Sequence, residues 1–142
     1  VKAFLIQKNQ TPPAPAMLMH PAIIVGLGGA IGSIARWGLY ELIPSDSTTE
    51  IPWNTVSINL LGAFLLGIIM AISNIYLINP DITLFIAMGI LGGFTTMSTF
   101  GFETFYLFDT NKTYSAIIYI FLNLLAPFTA WFGWKAMHSF IA

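Results

Sequence analysis

Residues 89–101 read GILGGFTTMSTFG and lie inside an apolar run that is long enough to cross a membrane. Paired glycines weaken a helix, and Ser and Thr hydroxyls compete for the hydrogen bonds of its backbone. The stretch therefore predicts a helix break at membrane depth. Such backbone survives only when it is buried in protein or lines a wet cavity, and its freed carbonyl oxygens suit a hard cation such as Na⁺. A hydroxyl-rich helix packed closely against a neighbour is the alternative interpretation.

The composition of the whole chain places this stretch in a membrane protein. Of the 142 residues, 56% are hydrophobic and 8% are charged, whereas soluble domains carry roughly a quarter charged residues. The absence of cysteine excludes a disulfide framework and a thiolate metal site. A net charge of −1 without a basic patch excludes nucleic acid as a partner. Lipid is the expected surrounding, and the cell inner (plasma) membrane is the expected location.

Four apolar runs divide the chain into spans, and each approaches the ~20 residues that cross a bilayer. The expected fold is an all-α membrane protein with four transmembrane helices and a break in the third. An arm at residues 1–19, flexible or interfacial, precedes a four-helix transmembrane domain at residues 20–142. A turn is expected at Asn79, Pro80 and Asp81. The predicted spans are residues 21–42, 52–76, 83–108 and 114–137.

The basic residues give almost no preference for one orientation of the four spans. Lys2, Lys8 and Lys135 lie on one predicted side of the membrane, and Arg36 and Lys112 lie towards the other. Because an excess of Lys and Arg normally fixes the cytoplasmic side, this near balance permits insertion in both directions. An antiparallel pair of copies is then a hypothesis, and a single orientation set by the amino-terminal lysines is the alternative.

Polar side chains at membrane depth are the candidates for function, because each costs about 2.5 kcal/mol or more unless it is paired or meets water. Asn59 offers two N–H donors without a charge, which suits an anion that must also be released. It could equally join two helices. Phe100 could present the positive edge of its ring to an anion or simply pack in a core. Pro127 removes a helical hydrogen bond to Asn123 and predicts a kink.

Three stretches taken together resemble one family of membrane proteins. They are GGAIGSIAR at residues 28–36, PWNTVSINLLG at residues 52–62, and GGFTTMSTF at residues 92–100 followed by Glu103. In this order they resemble the CrcB/Fluc family of fluoride channels, and the third stretch is the most specific. The resemblance implies an antiparallel, dual-topology homodimer with two pores that lets fluoride leave the cytoplasm passively.

The resemblance also implies roles for individual residues. Asn59 would line the pore, Phe100 would turn a ring edge to fluoride, and Arg36 would draw anions near a vestibule. Backbone carbonyls of Gly92 and Thr95 from both subunits would hold a structural Na⁺ at the dimer interface, and no organic cofactor is implied. The residues assigned to the fluoride pore are Asn59, Met97, Ser98, Thr99, Phe100, Glu103, Tyr119 and Asn123.

The chain departs from the family pattern at three positions. Met97 stands where the family usually has phenylalanine, and a thioether has no aromatic edge, although it can still keep a path apolar. Asn54 replaces a usual glycine, and Asn123 replaces a more common serine. These departures imply a different arrangement of hydrogen bonds along the polar path. A heteromeric partner could supply the aromatic ring that Met97 lacks.

Two other functions compete with the channel. A dual-topology, proton-coupled small multidrug exporter needs a membrane-buried carboxylate for proton exchange, and Glu103 is the one candidate, since Glu41 stands at the end of its span. A non-conducting assembly subunit held by glycine faces is the third interpretation. Enzymatic activity is not expected, because no nucleophile, base and orienting residue can be brought together from these spans.

Overall fold

The computed structural model describes residues 19–43 and 50–141. These residues form an all-helical bundle with four apolar segments long enough to cross a membrane, as the sequence predicts. The first is helix α1, Pro21–Leu42, and the second is helix α2, Trp53–Tyr76. Apart from Met19, the predicted amino-terminal arm lies outside the described residues.

The third segment consists of four consecutive pieces rather than one regular helix. Helix α3, Pro80–Thr83, leads into a π-helix, Leu84–Leu91, and then into the short helix α4, Gly92–Phe94. Helix α5, Met97–Asp109, completes the segment. π-Helical turns are rare and are often found at functional sites.

The turn expected at Asn79, Pro80 and Asp81 is displaced towards the amino terminus. Pro80 and Asp81 already belong to α3, and only Asn79 stands outside it. The Asn79 side chain accepts a hydrogen bond from the Asp81 N–H at 2.8 Å. Because proline is tolerated in the first turn of a helix and asparagine is a strong N-cap, the helix begins here.

The fourth segment is interrupted near its middle, where Pro127 predicts a kink. Helix α6, Thr113–Asn123, ends before a turn at Leu124 and Leu125, and helix α7, Ala126–Ile141, follows. Pro127 is the second residue of α7, where its missing N–H leaves no helical partner unsatisfied.

Glycines allow two pairs of segments to approach closely. Helix α1 packs against the π-helix and α4, and a Cβ on Gly28 would lie 2.5 Å from the Phe85 carbonyl oxygen. Helix α2 packs along α7, where a Cβ on Gly67 would collide with the backbone of Ala130. Small residues therefore bring the backbones together, as in other membrane helix pairs.

The core of the bundle lies between α2, α5 and α6. Val56, Leu107, Ala116 and Tyr119 are buried there, and Phe100 packs against them while remaining partly exposed. Most of the other large apolar side chains face outwards, which fits a protein surrounded by lipid. The core is the place where the polar side chains of three helices meet.

Candidate ion path

The backbone is extended at two residues between α4 and α5. Thr95 has φ −73° and ψ 156°, and Thr96 has φ −143° and ψ 113°. The glycines of the stretch at residues 89–94 remain helical, so the irregular backbone is confined to the threonines. The Thr96 hydroxyl accepts a hydrogen bond from the Thr99 N–H at 3.2 Å and thereby caps α5.

Asn59 on α2 satisfies the backbone of Thr96 from both sides. Its Oδ1 accepts from the Thr96 N–H at 2.8 Å, and its Nδ2 donates to the Thr96 carbonyl at 3.2 Å. A second Nδ2 hydrogen bond reaches Asn123 Oδ1 at 2.8 Å. Both N–H groups of Asn59 are thus engaged within the chain, because an amide nitrogen has two donors. Asn59 joins the extended residues of the third segment to the end of α6.

Arg36 also reaches the extended residues. Its Nη1 donates to the Thr95 carbonyl at 3.2 Å. The position near a vestibule that the resemblance implies stays a prediction; in this chain the partly buried guanidinium bonds to the backbone of the third segment. A charge late in a span is costly unless it is paired, and the Thr95 carbonyl lacks its usual partner because the Thr99 N–H caps on Thr96 instead. The pairing satisfies both groups.

The two carbonyls expected to hold Na⁺ lie beside this irregular backbone. The Thr96 N–H, which would bond the Gly92 carbonyl in a continuous helix, donates to Asn59 instead. Within the described ranges, residues 19–43 and 50–141, no other backbone hydrogen bond ends on the Gly92 oxygen. Thr95 uses one lone pair for Arg36 and retains a second. Two hard carbonyl oxygens are therefore suited to a monovalent cation.

Helix α6 carries a polar stripe, defined here as Ser115, Tyr119 and Asn123, which are spaced by four residues and so share one face. The Ser115 hydroxyl donates to Glu50 Oε2 at 2.5 Å, and the Tyr119 hydroxyl donates to Glu103 Oε2 at 2.5 Å. The partner of Asn123 is Asn59, as described above. Each residue of the stripe thus meets a polar group from another element.

Asn123 is the one amide of the stripe, and it has a spare donor. Its Oδ1 accepts from Asn59, and its Nδ2 donates once, to the Tyr119 carbonyl at 3.0 Å. Its second N–H meets no acceptor among the described residues, in contrast to the fully engaged amide of Asn59.

Thr55 and Tyr40 extend the polar path and were not among the residues predicted from the sequence. Thr55 is fully buried, and its Oγ1 lies 2.7 Å from the Tyr40 hydroxyl. Thr55 precedes Asn59 by one helical turn, so both belong to the same face of α2. That spacing is the signal that could have identified Thr55, and the four-residue spacing from Tyr119 and Asn123 could have identified Ser115. No such spacing identifies Tyr40, which meets Thr55 only through packing of α1 against α2.

Phe100 and Met97 have different environments, although they are one turn apart on α5. The ring of Phe100 lies 5.3 Å from that of Tyr119 at an interplanar angle of 52°. Met97 is 79% exposed and faces away from the buried core. Ser98 is also exposed, and its hydroxyl lies 3.4 Å from that of Thr96. Phe100 therefore borders the polar stripe within one subunit, and Met97 does not.

The structure brings most of the predicted pore residues together around Tyr119. Glu103, Phe100 and Asn123 contact Tyr119 directly, and Asn59 is joined to it through Asn123. The Thr99 hydroxyl oxygen accepts a hydrogen bond from the Thr96 hydroxyl at 2.8 Å, and Thr96 is in turn held by Asn59. The assembly offers hydroxyl and amide donors along a membrane-spanning bundle. Among the residues that the structure describes, no three His, Cys, Asp or Glu side chains gather as a metal cluster.

The chain matches the family model described as CrcB-like protein, Camphor Resistance (CrcB), over residues 23–134. It is 37% identical over 118 residues to the fluoride-specific ion channel FluC of Thermus thermophilus, which covers 82% of this chain and 94% of that protein. It is 39% identical over 102 residues to the fluoride-specific ion channel FluC 2 of Clostridium acetobutylicum, covering 72% of this chain and 84% of that protein. A fluoride-specific ion channel FluC from Methanococcus aeolicus is 37% identical over 107 residues, 75% of this chain and 85% of that protein.

Proposed function

Because the chain belongs to the CrcB-like protein family, we propose that it is a passive fluoride-selective channel in the cell inner membrane that exports fluoride from the cytoplasm. As a multi-pass membrane protein of a channel family, it is not an enzyme. The observation that carries the proposal is the run of polar side chains formed by the fully buried Thr55 and Tyr119 and the partly buried Asn123. Such a run is costly in lipid unless it serves a polar solute.

The chemistry of these donors suits fluoride. The ion is small and strongly hydrated, so a path must replace its water without holding it tightly. Thr99, Ser98 and the spare N–H of Asn123 supply neutral donors of this kind, whereas the single O–H of Tyr119 already donates to Glu103. Glu103, which accepts from Tyr119 at 2.5 Å, holds the phenol in orientation. Neutral donors attract the anion and release it again.

In this proposal the role that the resemblance assigns to Asn59 is shared between Asn59 and Asn123. Asn59 lines the path, but its own hydrogen bonds fix the backbone of Thr96 and the side chain of Asn123. Asn123 then presents its second N–H to the ion. An amide at this position in place of the more common serine gives the stripe a donor that Asn59 no longer provides.

Phe100 supplies the apolar wall beside these donors. Its ring contacts Tyr119, and the positive edge of an aromatic ring is weakly attractive to an anion without competing for hydrogen bonds. Met97 lies on the outer surface of the subunit, where it could serve only a path shared with another chain.

The working form in this proposal is an antiparallel, dual-topology homodimer with two pores. The exposed Gly92 and Ser98 are supporting observations, because a carbonyl without a helical partner and an exposed hydroxyl are poorly matched to lipid. A second copy would cover them. A heteromer with a chain that carries phenylalanine in place of Met97 is the variant to be tested alongside it.

A structural Na⁺ belongs to the same proposal. The carbonyl oxygens of Gly92 and Thr95 would hold it, with the equivalent pair from the second copy. When bound, the ion would neutralise carbonyl dipoles that the extended residues leave without helical partners. Exchange of Na⁺ for a large organic cation should then lower the dimer fraction measured by cross-linking, a readout that does not depend on transport.

Fluoride efflux from liposomes tests the proposal. The wild-type protein is reconstituted into liposomes loaded with fluoride, and the external solution contains an anion other than fluoride. Released fluoride is measured with a fluoride electrode, and chloride efflux from chloride-loaded liposomes is the control. Efflux of fluoride without chloride and without a proton gradient is expected. Equal chloride efflux would remove selectivity, dependence on a proton gradient would favour the small multidrug exporter, and the absence of any flux would favour the assembly subunit.

A further inference from the structure

The outer end of the polar stripe is occupied by a side chain of the protein itself. Glu50 precedes α2, and its two carboxylate oxygens contact different donors from the start of α6. Oε2 accepts from the Ser115 hydroxyl at 2.5 Å, and Oε1 lies 3.7 Å from Lys112 Nζ. A negative group thus rests on the two donors that an anion would meet first.

Exposure to water changes sharply at this point. The side chains of Glu50 and Lys112 are 51% and 40% exposed, whereas Ser115 is 9% exposed and Tyr119 is fully buried. Ser115 precedes Tyr119 by four residues, a rise of about 6 Å along one helix face. Ser115 is therefore the last donor of the stripe before water begins.

A carboxylate and fluoride compete for the same donor. A hydroxyl has a single O–H to donate, so Ser115 can serve Glu50 or an entering anion but not both. Release of Glu50 is feasible because half of its side chain already faces water, where the carboxylate can be solvated. Lys112 attracts whichever anion is present.

We propose that Glu50 is a tethered competitor that occupies the outermost fluoride subsite, formed by the Ser115 hydroxyl and the Lys112 ammonium group, and thereby lowers the affinity for fluoride entering at this end. The inference rests on the proposed fluoride channel. A site that is free for only part of the time binds its ligand with an apparent affinity reduced by that fraction.

The test compares two substitutions that remove one negative charge from the same end of the bundle. Glu50→Gln weakens the competitor, because a neutral amide oxygen accepts from Ser115 less strongly than a carboxylate. Glu41→Gln is the matched control, since the exposed Glu41 lies at the end of α1 and forms no described contact with the stripe. Fluoride flux is measured against fluoride concentration. For Glu50→Gln the half-saturating concentration should fall about 3- to 10-fold with the maximal flux retained, because a charge-assisted hydrogen bond is lost. It should be unchanged for Glu41→Gln.

Two further variants separate competition from a purely structural contact. Lys112→Met should raise the half-saturating concentration about 2- to 5-fold, because the subsite loses its positive charge. In a background that carries both Ser115→Ala and Lys112→Met, Glu50→Gln should no longer change the half-saturating concentration. If Glu50→Gln lowers thermal stability while leaving the concentration dependence unchanged, Glu50 only holds α6 in place and the inference is overturned. A wild-type protein without fluoride flux would instead remove the proposed function itself.

Discussion

The third and fourth segments are both interrupted, but their backbones are satisfied in different ways. At Leu124 and Leu125 the chain closes on itself, with the Leu124 N–H bonded to the Ile120 carbonyl and the Phe128 N–H to the Leu125 carbonyl. At Thr95 and Thr96 the partners come from Arg36 and Asn59 on other helices. A proline interruption is thus repaired locally. The threonine interruption depends on the rest of the bundle and leaves the Gly92 carbonyl available.

The largest effect on stability and flux is expected when Asn59, which bonds the backbone of Thr96, is replaced. Asn59→Leu leaves the N–H and carbonyl of Thr96 without their partner, which should cost about 2–6 kcal/mol of stability since each buried unpaired group costs about 1–3 kcal/mol. Fluoride flux should fall by roughly 100-fold or more, which corresponds to about 2.7 kcal/mol of lost stabilisation. Thermal unfolding in detergent and liposome efflux check both effects. Wild-type flux in this variant would show that the amide is dispensable.

Phe100→Ile tests the apolar side chain beside the donors and leaves the backbone hydrogen bonds at Thr96 and at Leu124 in place. The ring contact with Tyr119 is lost, and with it the aromatic edge. Flux should fall about 10-fold, while a volume-similar apolar replacement should cost under about 1.5 kcal/mol in stability. Phe105→Ile is the matched control, because Phe105 is 64% exposed on the same helix and makes no described contact with the stripe. Equal losses in the two variants would place Phe100 outside the path.

Arg36→Met should have an intermediate effect, through the Thr95 carbonyl. The hydrogen bond from the guanidinium is lost, and a charge-assisted bond contributes about 1.5–3 kcal/mol. The melting temperature should fall, and flux should decrease about 2- to 5-fold. Lys135→Met serves as the control, since Lys135 lies over the Trp131 ring far along the chain from the third segment. A melting temperature unaffected by Arg36→Met would mean that this hydrogen bond contributes little.

The smallest effect is expected at the proline interruption. Pro127→Ala restores a backbone N–H beside turns that are already closed, so stability should change by less than about 1 kcal/mol and flux by less than about 2-fold. The same two assays measure it. A loss comparable to that of Asn59→Leu would show that the two interruptions are equivalent and would remove the contrast between them.

Much of this architecture could be predicted from the sequence because the bilayer imposes it. Long apolar runs fix the four spans, and the bounds of α1 are those predicted, residues 21–42. The glycine and hydroxyl stretch at residues 89–101 contains Thr95 and Thr96, whose backbone is extended. It did not reveal that Thr95 and Thr96 alone are extended, because that depends on Asn59 and Arg36 arriving from other helices.

The candidate path was predicted less completely than the fold. Asn59, Glu103, Tyr119 and Asn123 do meet, but Ser115 and Glu50 join the path through a contact between residues 65 positions apart. The hydrogen bond from Arg36 to Thr95 and the outward position of the Met97 side chain likewise depend on which groups become neighbours after packing. Pairings between helices are set by tertiary structure, which local patterns do not specify.

The most direct measurement is the reversal potential of wild-type protein in a planar bilayer, with fluoride salt on one side, chloride salt on the other and equal pH. For a fluoride-selective channel the reversal potential should lie far towards the fluoride equilibrium potential and should not shift with an imposed proton gradient. Reversal near the chloride equilibrium potential, or a reversal that follows the proton gradient, would contradict it.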